Sequence, residues 1–149
     1  MDISESLYRK CEVFIDNRLQ TLQNTIKDIQ TSLLSETKSS AGDKHETGRA
    51  MLQLEREKVG TQLAEAQKVK EVLAKISLRI VSETICLGSV VYTTQANYFI
   101  AISAGQLQVD NINYFAISPK TPISQLLLSK REGDHITFRG QYIKIEKII

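Results

Sequence analysis

Ile15, Leu19, Leu22, Ile26, Ile29 and Leu33 follow one another at alternating steps of four and three, and Ile3, Leu7, Cys11 and Phe14 extend the stripe toward the N-terminus. An average repeat of about 3.5 residues belongs to an α-helix that turns one narrow seam toward one partner helix. A second stripe follows, with Leu52, Val59, Ala66, Leu73 and Ile80 spaced by seven and supplemented by Leu63, Val69 and Ile76. Between the stripes, Glu36–Gly48 lacks large apolar residues and is loaded with turn formers, which predicts a tip loop over 37–48. Two long amphipathic helices joined by a short polar loop make an antiparallel hairpin. Each arm of about 33 residues would run roughly 50 Å, at about 1.5 Å per residue. Heptads alone also suit a plain coiled coil used for oligomerisation, although the loop interrupts the seam that a parallel homodimer would need.

From residue 84 the grammar changes. Thr84–Thr93 is rich in β-formers, with Gly88 readable as a bulge, and Asn97–Ser103 and Asn113–Ser118 are further apolar runs. Thr121 is a good helix N-cap and Pro122 suits the first helical position, so a short helix begins there and ends near Lys130–Asp134. His135–Phe138 and Tyr142–Ile149 close the chain as two strands around an Arg139-Gly140 turn. The expected fold class is α+β: an N-terminal antiparallel coiled-coil hairpin over 1–80, then a small, mostly antiparallel sheet with one short helix over 81–149.

Composition sharpens this division. Residues 1–80 contain no proline and carry 13 basic and 12 acidic side chains, whereas both prolines, Pro119 and Pro122, fall in the second part. A net charge of +2 over 149 residues is too balanced for a strongly electrostatic nucleic-acid binder. No run approaches the 18 or so apolar residues of a membrane span, and the acidic, polar start Met1–Glu5 does not read as a secretory signal. Two cysteines, Cys11 and Cys86, lie 75 positions apart with two histidines in the whole chain, which argues against structural zinc. The expected setting is a reducing compartment, the cytoplasm.

Candidate chemistry is sparse. His45 and His135 lie in different halves, no G-x-S-x-G occurs, and no glycine-rich phosphate loop is present. His135 reads as an ordinary half-exposed strand residue, and both cysteines as small core residues. The chain offers little as an independent enzyme. The tip differs: Asp43 and Glu46 stand three apart where the second helix should begin. One reading is a capping box, Asp43 accepting from a backbone N–H and Glu46 reaching back. The other is a metal site, because two carboxylates at i and i+3 can project from one helical face and Mg²⁺ is commonly held by one or two carboxylates plus waters. Such a site would need further ligands from a partner.

Gly42-Asp43-Lys44-His45-Glu46-Thr47 resembles the acidic tip G-D-x-x-E-N of the GreA/GreB transcript-cleavage factors, and Thr121–Asp134 is similar to that family's S-P-[IL]-G-x-A-L-L-G-K-x-x-G-D. Order and spacing of tip, second helix and C-terminal segment agree along nearly the whole chain. The resemblance implies an FKBP-like C-terminal domain without isomerase activity and a monomer that binds bacterial RNA polymerase. It implies that the globular domain docks at the rim of the secondary channel through the segment containing Thr121, Pro122, Ile123, Ser124, Lys130, Gly133 and Asp134. The hairpin would then carry Asp43 and Glu46 to a Mg²⁺ shared with the polymerase, with no cofactor bound in isolation, so that backtracked RNA is cut near its 3′ end. Two metals would activate the attacking water and stabilise the leaving oxygen. Lys38, Lys44 and Arg49 could contact RNA phosphates. Where the family continues N-A-E-Y, this chain has Thr47-Gly48-Arg49-Ala50, replacing a further acid by Arg49. A non-cleaving regulator or inhibitor in the same channel is the alternative, and a structural coiled-coil interaction protein a third reading.

Overall fold

The computed structural model describes the backbone of residues 2–38, 42–78 and 81–149. Two long helices come first, α1 (Ile3–Lys38) and α2 (Gly42–Ala74). Asp2 caps α1, its Oδ1 accepting from the Glu5 backbone N–H at 2.7 Å, so an Asp-x-x-Glu pair opens this helix as a cap-and-acid pair does. The predicted stripes form the seam: Leu7, Cys11, Ile15, Leu19, Leu22 and Ile29 are buried on α1, and Val59, Ala66 and Leu73 on α2. Phe14 departs from its predicted place and is 40% exposed, because it lies one step before Ile15 and turns about 100° off the stripe. Ile80 lies outside the described residues. An ion pair between Lys70 Nζ and Asp16 Oδ1 at 2.6 Å joins residues 54 apart in sequence, as antiparallel arms require.

The tip loop is shorter than predicted. Helix reaches Lys38 and resumes at Gly42, and residues 39–41 lie outside the described ones. Local turn propensity is only a weak prior, and once a long helix exists each added residue costs little. With no proline over 37–48, nothing stops that growth sharply.

Among the described residues, the rest of the chain builds six strands and one short helix: β1 (Val90–Thr93), β2 (Asn97–Ile100), β3 (Gly105–Val109), β4 (Ile112–Ile117), α3 (Pro122–Leu127), β5 (His135–Phe138) and β6 (Gln141–Ile148). They form one sheet in the order β3-β4-β2-β1-β6-β5. Every neighbouring pair is antiparallel except β2 and β4, which run parallel. Two tight turns have both central residues at positive φ, Asp110-Asn111 (52° and 64°) and Arg139-Gly140 (51° and 77°), the geometry that matches strand twist in two-residue hairpins.

Two expectations for this region are corrected. The run over 84–93 is a strand only from Val90 onward, and Gly88, at φ +95°, is a turn residue rather than a bulge. The preceding backbone groups pair elsewhere: the Ile85 N–H donates to the Lys130 carbonyl, its carbonyl accepts from Ser129 N–H, and Ser89 Oγ accepts from Cys86 N–H. Strand β3 lies outside the predicted strands: Gln106-Leu107-Gln108-Val109 does alternate polar and apolar, but with two apolar residues the pattern is too short to announce a strand. As an edge strand, it need not bury a full face.

One sheet face carries the core cluster of Ile85, Val91, Tyr98, Ile100, Leu127, Ile136, Ile143 and Ile145, with Ile123 and Leu128 packed against it. By compactness the chain divides into Ile15–Lys70, and a unit joining Met1–Phe14 to Glu71–Ile149. The change in residue grammar near 80 thus differs from the division by contact, which groups the base of the hairpin with the sheet. Among the described residues no helix is long and apolar enough to cross a membrane.

Candidate functional site at the hairpin tip

Because α2 begins at Gly42, Asp43 and Glu46 both fall in its opening turns, three residues apart and therefore on neighbouring positions of one helix surface. Glu46 is exposed. The side chains of Asp43, Lys38 and Lys44 lie outside the described ones. Arg49, one turn further, is half-buried. Sequence reasoning passed over Glu36 near this end of the hairpin. Its carboxylate atoms lie 3.6–3.7 Å from where a Cβ on Gly48 would stand, so a glycine on α2 faces an acid on α1. The signal was available in the near-mirror placement of residues 36 and 48 about the tip. Among the described residues, no group of three or more His, Cys, Asp or Glu side chains is arranged to hold a metal ion. The exposed Glu46 carboxylate is a hard oxygen donor of the kind Mg²⁺ accepts alongside water.

The C-terminal motif residues are positioned by local hydrogen bonding. Thr121 caps α3: its Oγ1 accepts from the Ser124 N–H at 3.4 Å and lies 2.8 Å from Ser124 Oγ and 2.9 Å from the Ser118 carbonyl. Pro122 occupies the helix start without forfeiting a donor. Ser124 is fully buried, so its part is to secure the helix start from within, and Ile123 packs on the core cluster. The Lys130 carbonyl accepts from Ile85 N–H. Gly133 takes φ +89°, and its N–H donates to the Ile145 carbonyl. Asp134 Oδ2 accepts from Arg131 N–H at 2.8 Å. Of this segment Pro122, Gly133 and Asp134 are exposed and Lys130 half-exposed; these can meet a partner, while Ser124 cannot.

The two cysteines differ. Cys11 is fully buried on α1, and burial pushes its thiol up to about 12. Cys86 is exposed, against the expectation of a core residue, because the segment around it turns rather than continuing as a central strand. Tyr92 and fully buried Tyr114 share a hydroxyl–hydroxyl hydrogen bond of 2.9 Å. Desolvation, and then that bond, hold the Tyr92 phenol well above its ordinary range.

No family model matches the chain, and no curated protein matches it. It is similar to a solved structure of the transcription factor Gfh1 over 90% of each chain, at 18% identity and a TM-score of 0.35. A likeness at that level carries no argument about role.

Proposed function

We propose that this chain is an accessory transcription elongation factor. It would enter the secondary channel of RNA polymerase with its helical hairpin and stimulate Mg²⁺-dependent cleavage of backtracked RNA by the polymerase active site. The observation that carries the reading is the acidic pair Asp43 and Glu46 in the opening turns of α2, close to where α1 ends at Lys38. The GreA/GreB-like motif over Thr121–Asp134 supports it. The chain's own contribution is carriage and charge: a helix of 36 residues, about 54 Å long, presents carboxylates to a chamber whose chemistry the polymerase supplies. When bound between the two proteins, Mg²⁺ would lower the pKa of its water and stabilise the leaving oxygen. Lys38, Lys44 and Arg49 would hold the RNA, and Pro122, Lys130, Gly133 and Asp134 would meet the rim of the channel. In this reading the factor is a cytoplasmic monomer and not itself an enzyme.

The test uses stalled elongation complexes incubated with Mg²⁺ and either wild type or the Asp43→Ala, Glu46→Ala double variant. Wild type should shorten the nascent RNA and the variant should not; equal shortening by both would defeat the proposal. A second reading is favoured by Arg49, which stands where the family has a further acid, and by Lys44 and His45 between the two carboxylates. These cationic or titratable groups lower the local negative potential, suiting a regulator that occupies the channel without promoting cleavage. Competition with an authentic cleavage factor, in the absence of RNA shortening, distinguishes that role.

A further inference from the structure

Directly opposed residues of an antiparallel pair share a face of the sheet. Ile136 and Ile143 oppose each other and are buried in the core cluster, so the neighbouring pairs His135–Lys144 and Thr137–Tyr142 present the other face. There the His135 and Tyr142 rings stack, with centroids 4.7 Å apart and planes 25° apart, and Tyr142 is 65% exposed. The β1–β6 register shifts between Tyr92 and Thr93, placing Lys147 opposite Tyr92 and Ile145 opposite Thr93. The extra residue, Glu146, reverses the alternation, so Lys147 returns to the face that carries Lys144. Its ammonium lies 5.9 Å from the centre of the half-buried Tyr92 ring.

The outcome is an exposed strip, about 15 Å along β6 at about 3.3 Å per residue, on which a stacked ring pair, a lysine, and a second lysine against a tyrosine succeed one another. Tyr142 rests against His135 and keeps 65% of its surface in water, so much of its ring stays open to a further planar group.

We propose that this face of β5 and β6 binds single-stranded nucleic acid without regard to sequence, bases stacking on the His135–Tyr142 pair and phosphates meeting Lys144 and Lys147. Stacking platforms flanked by cations are the recurring solution for single strands, since every base has a π-face. An acidic peptide would use the two lysines but would leave the open face of Tyr142 without a planar partner. The proposal does not rest on the polymerase reading, because it uses none of the residues assigned there and needs no other protein.

Full-length protein titrated into fluorescein-labelled decauridylate and deoxythymidine decamer should raise the anisotropy of both at low salt. Tyr142→Ala should weaken binding about tenfold and Tyr142→Phe should preserve it. Lys144→Gln with Lys147→Gln should reduce the slope of log affinity against log salt by about 1.4, from two lost phosphate contacts at ~0.7 each. Lys27→Gln with Lys58→Gln, two exposed lysines of the hairpin to which no role is assigned, serves as the charge control and should leave the affinity as it is. Absence of wild-type binding, indifference to Tyr142→Ala, loss of binding in the Lys27→Gln, Lys58→Gln control, or equal competition by a decaglutamate peptide each overturns the proposal. Far-UV circular dichroism of each variant should superimpose on wild type, since all five substituted residues are exposed; binding lost only together with fold would overturn it as well.

Discussion

Replacing Gly88 by alanine probes the best-determined backbone demand in the sheet unit. Gly88 sits at φ +95°, where an L-residue is strained by about 1–2 kcal/mol, and its N–H donates to the Ile100 carbonyl at 2.6 Å, holding it in place. A Cβ there would stand 2.9 Å from Ile76 Cγ2 and 3.9 Å from Ile76 Cβ. The obstructing atom is a branch on Cβ, so it cannot swing aside as a long side chain's end would, and Ile76 is itself buried. Overpacking of this kind costs roughly 1–3 kcal/mol, for a combined loss of about 2–5 kcal/mol in Gly88→Ala. Ile76→Ala alone should cost about 2–4 kcal/mol through the space it leaves. In the double variant the clash is gone and only the backbone strain remains, so the two losses should fall short of additivity by at least about 1 kcal/mol. Urea unfolding followed by tyrosine fluorescence reads this well: the chain has no tryptophan, and Tyr92, Tyr98, Tyr114 and Tyr142 all lie in the sheet. Gly88→Ala within about 0.5 kcal/mol of wild type, the range of neutral surface changes, or strict additivity with Ile76→Ala, would refute the reasoning.

Three further outcomes follow from the burial and contacts of named residues. Exposed Cys86 should react with a thiol reagent at pH 8 while buried Cys11 reacts only after unfolding, and two fast equivalents from the native protein would contradict the assigned burial. Because burial raises the Cys11 thiol from 9.0 to about 12, the folded state keeps a proton that the unfolded chain loses. Its contribution is therefore intact below pH 9.0 and drains as pH rises toward 12, by at most about 1.4 kcal/mol per unit; Cys11→Ala should flatten that part of the stability profile, and an unchanged slope would count against it. Thr121→Ala removes the α3 cap and should lower stability by about 1 kcal/mol in urea, with Thr121→Ser recovering most of it; an unchanged urea midpoint in Thr121→Ala would show that the cap is dispensable.

The hairpin was legible because its information is periodic and local. Ile15, Leu19, Leu22, Val59 and Ala66 announce a seam by spacing alone, and a seam of that spacing has few ways to be buried. Turn chemistry likewise exposed the Arg139-Gly140 hairpin and the Thr121-Pro122 helix start. Of the candidate site, residue types and spacing at Asp43 and Glu46 were readable, as was the C-terminal motif. What spacing could not reveal is which motif residues face outward: Ser124 looks like its neighbours in sequence and is fully buried.

Sequence by itself determined the two long helices, the cap at Thr121 and the closing β-hairpin, since each depends on interactions among residues a few positions apart. Only tertiary structure decided that β3 exists as an edge strand, that β4 lies parallel to β2, and that Gly88 must be glycine. It also decided that Lys147 joins Lys144 on one face. These depend on partners far away in the chain, whose positions are set by burial of the shared core and by the register of neighbouring strands. A one-residue shift in register moves a side chain to the opposite face, and no local pattern records where such a shift occurs.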